Sequence, residues 1–147
     1  MTIRGSCLCN GVQYEVHGEL KDIANCHCSV CRRTLGAAFG TYARVDVGEF
    51  QWLSGEDLVT SYESSPGVCR CFCRQCGSTL GAMDEGGKLS WVTLGSVSGD
   101  PGVRPEAHIF VGSKAPWIMP LHSIFPSGLL QPGSTLLRFG TLQPLKP

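Results

Sequence analysis

Val68-Cys69-Arg70-Cys71-Phe72-Cys73-Arg74-Gln75-Cys76-Gly77 is the stretch on which the reading of the fold turns. Its first half alternates as a strand does. Successive side chains of a strand point to opposite faces, so Cys69, Cys71 and Cys73 share one face, and Arg70 and Phe72 share the other. Its second half is a C-x-x-C-G knuckle. Two thiolates three positions apart turn onto one metal ion, and glycine relieves the backbone after the second ligand. A strand that runs straight into a metal knuckle predicts a small β domain stapled by metal.

The knuckle needs a complement, and Cys7-Leu8-Cys9 supplies one. Residues two apart on an extended chain present their side chains to the same side. Cys7, Cys9, Cys73 and Cys76 together are predicted to close a tetrahedral zinc site. Full coordination leaves no position for chemistry, so this site is expected to be structural. Cys26-His27-Cys28-Ser29-Val30-Cys31 reads differently. It offers three thiolates within six residues and no obvious fourth cysteine. Three protein ligands and one open position are the pattern of catalytic zinc. His27 stands between two ligands and is expected to point away from the metal. Cys69 and Cys71 are read as small apolar core residues, with Cys71 close to the Cys73 metal.

Composition agrees with this reading. A chain of 147 residues suits one domain. Its 19 Gly and 9 Pro are too many for a helical bundle and suit a turn-rich β fold. Lys+Arg and Asp+Glu balance at 12 each, which gives no reason to expect nucleic acid or an anionic membrane as partner. No apolar run reaches the ~20 residues of a membrane span, and MTIRGSCLCNG has no apolar signal core. A cytoplasmic location is therefore expected. Nine cysteines are an odd count for a disulfide framework, and in a reducing compartment such clusters read as metal ligands.

Short strand candidates recur at Gly11–Val16, Phe39–Val47, Phe50–Leu53, Val59–Tyr62, Val68–Phe72, Leu89–Leu94 and His108–Val111. Seven such runs with little between them predict an all-β, mainly antiparallel domain with little helix. One short helical turn is predicted from a Ser29 cap to Leu35, closed by Gly36. Gly86-Gly87 predicts a hairpin turn between Met83 and Leu89. The boundary falls at 119: residues 1–119 form the metal-binding domain. Residues 120–147 form a Pro- and Leu-rich tail without acidic residues. That tail is expected to pack on the domain or on a second chain, as in a homodimer. Three thiolates on one Zn²⁺ leave a charge of about −1, which Arg32 and Arg33 are placed to offset.

These motifs resemble the glutathione-dependent formaldehyde-activating enzyme family, which also contains centromere protein V. The resemblance rests on Gly5-Ser6-Cys7-Leu8-Cys9-Asn10-Gly11-Val12 with Tyr14-Glu15, and on Asn25-Cys26-His27-Cys28-Ser29-Val30-Cys31-Arg32-Arg33 with Gly36-Ala37. It rests further on Phe72-Cys73-Arg74-Gln75-Cys76-Gly77-Ser78 with Leu80, and on His108-Ile109-Phe110-Val111 with Lys114-Ala115-Pro116-Trp117. It implies a β-tent fold of small zinc-stapled sheets and two Zn²⁺ per chain. One would sit on Cys7, Cys9, Cys73 and Cys76, the other on Cys26, Cys28 and Cys31. It implies carbon–sulfur lyase activity that joins glutathione to formaldehyde. Two departures stand out. Asn10 occupies a position where many members carry Gly, and residues 118–147 lack the acidic, aromatic segment that members usually carry.

The expected chemistry is metal-assisted addition of a thiol to a small aldehyde. Cys26, Cys28 and Cys31 hold the metal, His27 or Lys114 protonates the forming alkoxide, Arg32 and Lys114 hold carboxylates of glutathione, and Trp117 walls the pocket. The alternatives are a non-catalytic zinc protein that carries glutathione or its adduct, an interaction module, and a zinc-stabilised methionine sulfoxide reductase that uses Cys69 or Cys71.

Overall fold

A computed structural model describes residues 2–84 and 86–118. The predicted tail at 120–147 lies outside the described residues. Ten strands and one short helix make up the described part. β1 (Thr2–Ser6), β2 (Gln13–His17) and β5 (Phe50–Ser54) form a three-stranded antiparallel sheet in the order β1-β2-β5. The larger sheet contains β3 (Lys21–Cys26), β4 (Gly40–Arg44), β6 (Val59–Ser65), β7 (Val68–Cys73), β8 (Thr79–Met83), β9 (Leu89–Thr93) and β10 (Ala107–Ile109). Its order is β10-β3-β4-β9-β8-β7-β6. Every pairing is antiparallel except β10 with β3, which run parallel. A single bridge from Gly5 to Val97 joins the small sheet to the segment after β9. No helix among the described residues is long and apolar enough to cross a membrane.

The core lies between the sheets. β2 alternates as expected, with Tyr14 and Val16 buried and Gln13 and His17 outside. Tyr14 stacks on Phe50 at 5.3 Å and meets Trp52 edge-on at 6.2 Å, and its hydroxyl bonds Ser96 at 2.7 Å. Ile3, Val12, Val45, Leu80 and Val92 complete the cluster. Gly5 pairs with Tyr14, and a Cβ there would sit 2.2 Å from the Tyr14 ring, so only glycine fits.

All seven strand runs named from sequence appear, with no end shifted by more than three residues. β1, β3 and β8 are additional strands. The hairpin at Gly86-Gly87 forms: Asp84 N–H donates to the Lys88 carbonyl, and Gly87 N–H donates to Asp84. The helix α1 spans Ser29–Leu35 and ends on Gly36 in the left-handed conformation. Its cap is not Ser29. Cys28 caps it, because the Cys28 sulfur accepts from the Cys31 N–H at 3.3 Å. The residue expected to ligate a metal also satisfies an orphan donor of the helix.

Candidate metal centre

The cysteines gather into two groups, and the sulfurs within each lie within 4.8 Å of one another. The first contains Cys7, Cys9, Cys73 and Cys76. Cys7 and Cys9 follow β1, and the turn beyond them closes through Cys7 N–H to Val12 O at 3.1 Å. Asn10 enters the left-handed region there at φ 58°. Asn tolerates that conformation better than other side-chain-bearing residues, so it suits this turn. Cys73 ends β7, Gly77 turns at φ 74°, and Gly77 N–H donates to Cys73 O at 2.8 Å. Leu8 N–H then reaches Ser78 Oγ at 2.9 Å and ties the two loops together.

The geometry suits a tetrahedral thiolate site. Ligands at ~2.3 Å from Zn²⁺ stand ~3.8 Å apart. Here Cys7 Sγ lies 3.4 Å from Cys9 Sγ, and Cys9 Sγ lies 4.0 Å from Cys73 Sγ. The backbone N–H of Ser78, with that of Cys9, pulls the Cys76 thiol down to about 6. Four thiols close this group.

The second group contains Cys26, Cys28 and Cys31. Cys26 ends β3, Cys28 caps α1, and Cys31 lies one turn along it. Cys26 and Cys31 are buried, whereas Cys28 is half-buried. The Cys26 and Cys31 thiols hold the Cys28 sulfur well below the usual thiol range, and the Cys31 and Val30 backbone N–H groups add to this. The same sharing pushes Cys26 up. No fourth Cys, His or carboxylate joins this group among the described residues.

His27 does point away from the sulfurs' shared space, into the protein. It is fully buried, packs on Phe39 at 5.1 Å, and its Nε2 lies 2.8 Å from His108 Nδ1. His108 is 3.3 Å from Asn25 Nδ2, and Thr41 donates to Asn25 Oδ1 at 2.7 Å. This buried chain was not legible from spacing, since His108 lies 81 positions from His27. Burial pushes both imidazoles below their ordinary value.

Arg32 is half-buried and donates Nε to the His27 carbonyl at 3.2 Å, while Arg33 is exposed. The cation at the sulfurs is a different residue. Arg70 Nη2 lies 3.7 Å from Cys31 Sγ, and its guanidinium sits 5.3 Å from the Tyr42 ring centroid. Lys114 is exposed, and it lies close enough to His27 to disfavour its charging. Trp117 is 69% exposed and so contributes nothing to the core.

Cys69 is half-buried and Cys71 fully buried, and neither joins a sulfur group. Cys71 and Cys73 share the buried face of β7, but Cys71 packs into the core cluster, whereas Cys73 at the strand's end reaches the first sulfur group. Burial pushes its thiol up to about 12. Such a thiol is a packing group, not a nucleophile.

Comparison with known proteins places the chain among relatives of one family. A protein of Halomonas elongata, provisionally named a glutathione-dependent formaldehyde-activating enzyme, is 30% identical over 133 residues, which cover 80% of each chain. An uncharacterized lyase of Schizosaccharomyces pombe is 30% identical over 76 residues, 52% of this chain. That match spans 53% of the yeast protein, about half its length. The crystal structure of a Rhodobacter sphaeroides protein superposes with a TM-score of 0.52 at 27% identity, covering 71% of this chain and 98% of that one. The family model described as glutathione-dependent formaldehyde-activating enzyme matches residues 2–113. The chain therefore belongs to the glutathione-dependent formaldehyde-activating enzyme family.

Proposed function

We propose that this protein is a zinc-dependent enzyme of the carbon–sulfur lyase type that joins a small thiol, glutathione, to formaldehyde. The observation that carries this reading is the difference between the two sulfur groups. Four thiols gather at one, the full ligand set of a tetrahedral zinc site, whereas only Cys26, Cys28 and Cys31 gather at the other. Both donor sets are pure thiol, which suits zinc and not a hard cation. Cys26, Cys28 and Cys31 would hold the Zn²⁺, which would supply Lewis acidity that lowers the pKa of a substrate thiol.

The chain's own residues account for binding and proton handling. Arg32 and Lys114 both lie near enough to His27 to disfavour its charging, so two cations flank the residue between Cys26 and Cys28. They match the two carboxylates of glutathione. Trp117, three positions after Lys114 and exposed, is free to cover the bound thiol. When the sulfur adds to formaldehyde, a carbon–sulfur bond forms and the carbonyl π pair moves to oxygen. The proton released when the thiol binds is returned at that oxygen. Lys114 is the favoured donor, because it is exposed, whereas His27 lies buried under Phe39 with its Nε2 on His108. His27 acts as a brace for the ligand loop.

The test is calorimetric titration of the zinc-loaded protein with reduced glutathione and with S-methylglutathione. Binding of the free thiol alone supports the reading. Equal binding of both, or of neither, refutes it.

A further inference from the structure

We propose that Arg70 is a positioning residue that supplies the positive charge of the three-cysteine centre and lets that centre take an anionic thiolate as its fourth partner. This rests on the proposed thiol chemistry and names the residue that selects for it.

Four observations place the charge. Arg70 lies on β7, on the face opposite Cys71 and Cys73. Its Nη2 donates to Cys31 Sγ at 3.7 Å. Its Nε donates to Ser64 Oγ at 3.2 Å, which fixes the plane of the fork from the neighbouring strand. Its guanidinium stacks over Tyr42, which is only 6% exposed and packs with Cys26 and Cys31. A cation held by a ring face, a hydroxyl and a sulfur is a fixed charge and not a roaming surface group.

β7 thus serves both sulfur groups with its two faces. Cys73 joins the closed group and Arg70 faces the open one. The nearest arginine to the closed group in sequence, Arg74, is exposed and pairs with Asp57 at 3.8 Å. Four thiolates on a divalent ion carry −2. Three thiolates, a divalent ion and Arg70 sum to zero. A centre at zero accepts a fourth, negatively charged sulfur with less repulsion than one at −1. Arg32 and Arg33, adjacent to Cys31 in sequence, do not fill this role: Arg32 Nε is committed to the His27 carbonyl and Arg33 is exposed.

The experiment uses the full chain loaded with Co²⁺, whose thiolate charge-transfer absorption reports each added sulfur. The probes are 2-mercaptoethanol, which binds as an anion, and imidazole, which binds neutral. R70Q removes the charge, and R70K keeps it while losing the fork and the stacking. R70Q is expected to retain its metal, to lose about 10-fold or more in affinity for the thiol, and to leave imidazole affinity unchanged. R70K is expected to keep the preference for thiol over imidazole.

Equal losses for both probes overturn the proposal, as does unchanged thiol affinity. An R70Q protein that fails to fold, or that loses metal from the three-cysteine centre, makes Arg70 structural and also overturns it. A wild-type centre that takes 2-mercaptoethanol in an Arg70-dependent way but ignores glutathione leaves the proposal standing and removes glutathione as the substrate. A wild-type centre that takes neither thiol removes both.

Discussion

His27 Nε2 and His108 Nδ1 stand 2.8 Å apart across 81 positions of sequence. The parallel pairing of β10 with β3 sets this distance, since it places His108 opposite Asn25, two residues before His27. The hydrogen bonds run in one direction. Thr41 donates to Asn25 Oδ1, Asn25 Nδ2 faces His108 Nε2, and His108 Nδ1 faces His27. With that amide orientation His108 carries its hydrogen on Nδ1, and His27 accepts at Nε2. The chain bolts the segment between Cys26 and Cys28 to the edge strand of the sheet. His108→Ala leaves the Asn25 amide and a fully buried imidazole short of a partner. A loss of about 1–3 kcal/mol is expected in chemical denaturation at pH 7.5, where both rings are neutral.

The same pair sets an acid limit. Burial holds both imidazoles below their ordinary value of ~6.5. The unfolded chain takes up protons at that value, while the folded chain resists them. The stability from neutral, buried rings is complete above ~6.5 and falls as pH drops towards the depressed folded values. Denaturation midpoints between pH 7.5 and 5.5 are expected to fall in the wild type and to fall less in H108A. Parallel curves for the two proteins would rule out this pair as the cause.

The two sulfur groups are expected to fail differently. Cys73 is fully buried and ties β7 to a loop 64 positions away. Cys73→Ser is expected to abolish folding at 37 °C, because it opens the closed site and leaves a buried hydroxyl. Cys28 is half-buried at the start of a short helix. Cys28→Ser is expected to fold, to drop from two metal ions per chain to one, and to lose thiol binding. Metal counting by emission spectroscopy and thermal melting of both variants check this.

What the sequence shows and hides has physical causes. Cysteine spacing is a local code, so both sulfur groups are legible from the chain alone. The three strands that periodicity misses are those whose residues answer to something other than alternation. β3 ends in four consecutive buried residues, Ile23 to Cys26, because both its faces are covered. β1 places a glycine where the Tyr14 ring needs room. β8 places Gly81 against a neighbouring carbonyl. Cys28 as helix cap is hidden because ligand spacing already explains that cysteine. Arg70 and His108 are hidden because only the sheet order brings them to the cluster they serve.

Gly81 offers a direct check of that constraint. It pairs with Val92 on β9, and a Cβ there would lie 1.9 Å from the Trp91 carbonyl oxygen and 3.2 Å from the Val92 Cα. Both obstacles are backbone, so β8 and β9 must separate for alanine to enter. Gly81→Ala is expected to cost about 2–3 kcal/mol, although its φ is not one that demands glycine. Chemical denaturation measures it. A cost under ~0.5 kcal/mol would mean the strands yield easily there.

Trp117 gives the sharpest separation of binding from folding. An indole that is 69% exposed, next to the Lys114-Ala115-Pro116 segment, costs the protein solvent-exposed apolar area and returns no core packing. Ala115, two positions earlier, is fully buried and anchors the backbone of the segment. Trp117→Ala is therefore expected to change stability by no more than ~0.5 kcal/mol. If the ring covers the bound thiol, the same variant raises KM for glutathione several-fold and leaves kcat nearly unchanged, because the ring touches substrate equally before and during the reaction. Lys114→Met should behave oppositely at the chemical step. It removes the proposed proton donor, so kcat falls along with affinity, and the loss in kcat is partly restored by a small added amine. Steady-state kinetics on the two variants distinguish a wall from a donor. Identical kinetic changes in both would mean that Lys114 serves only to bind.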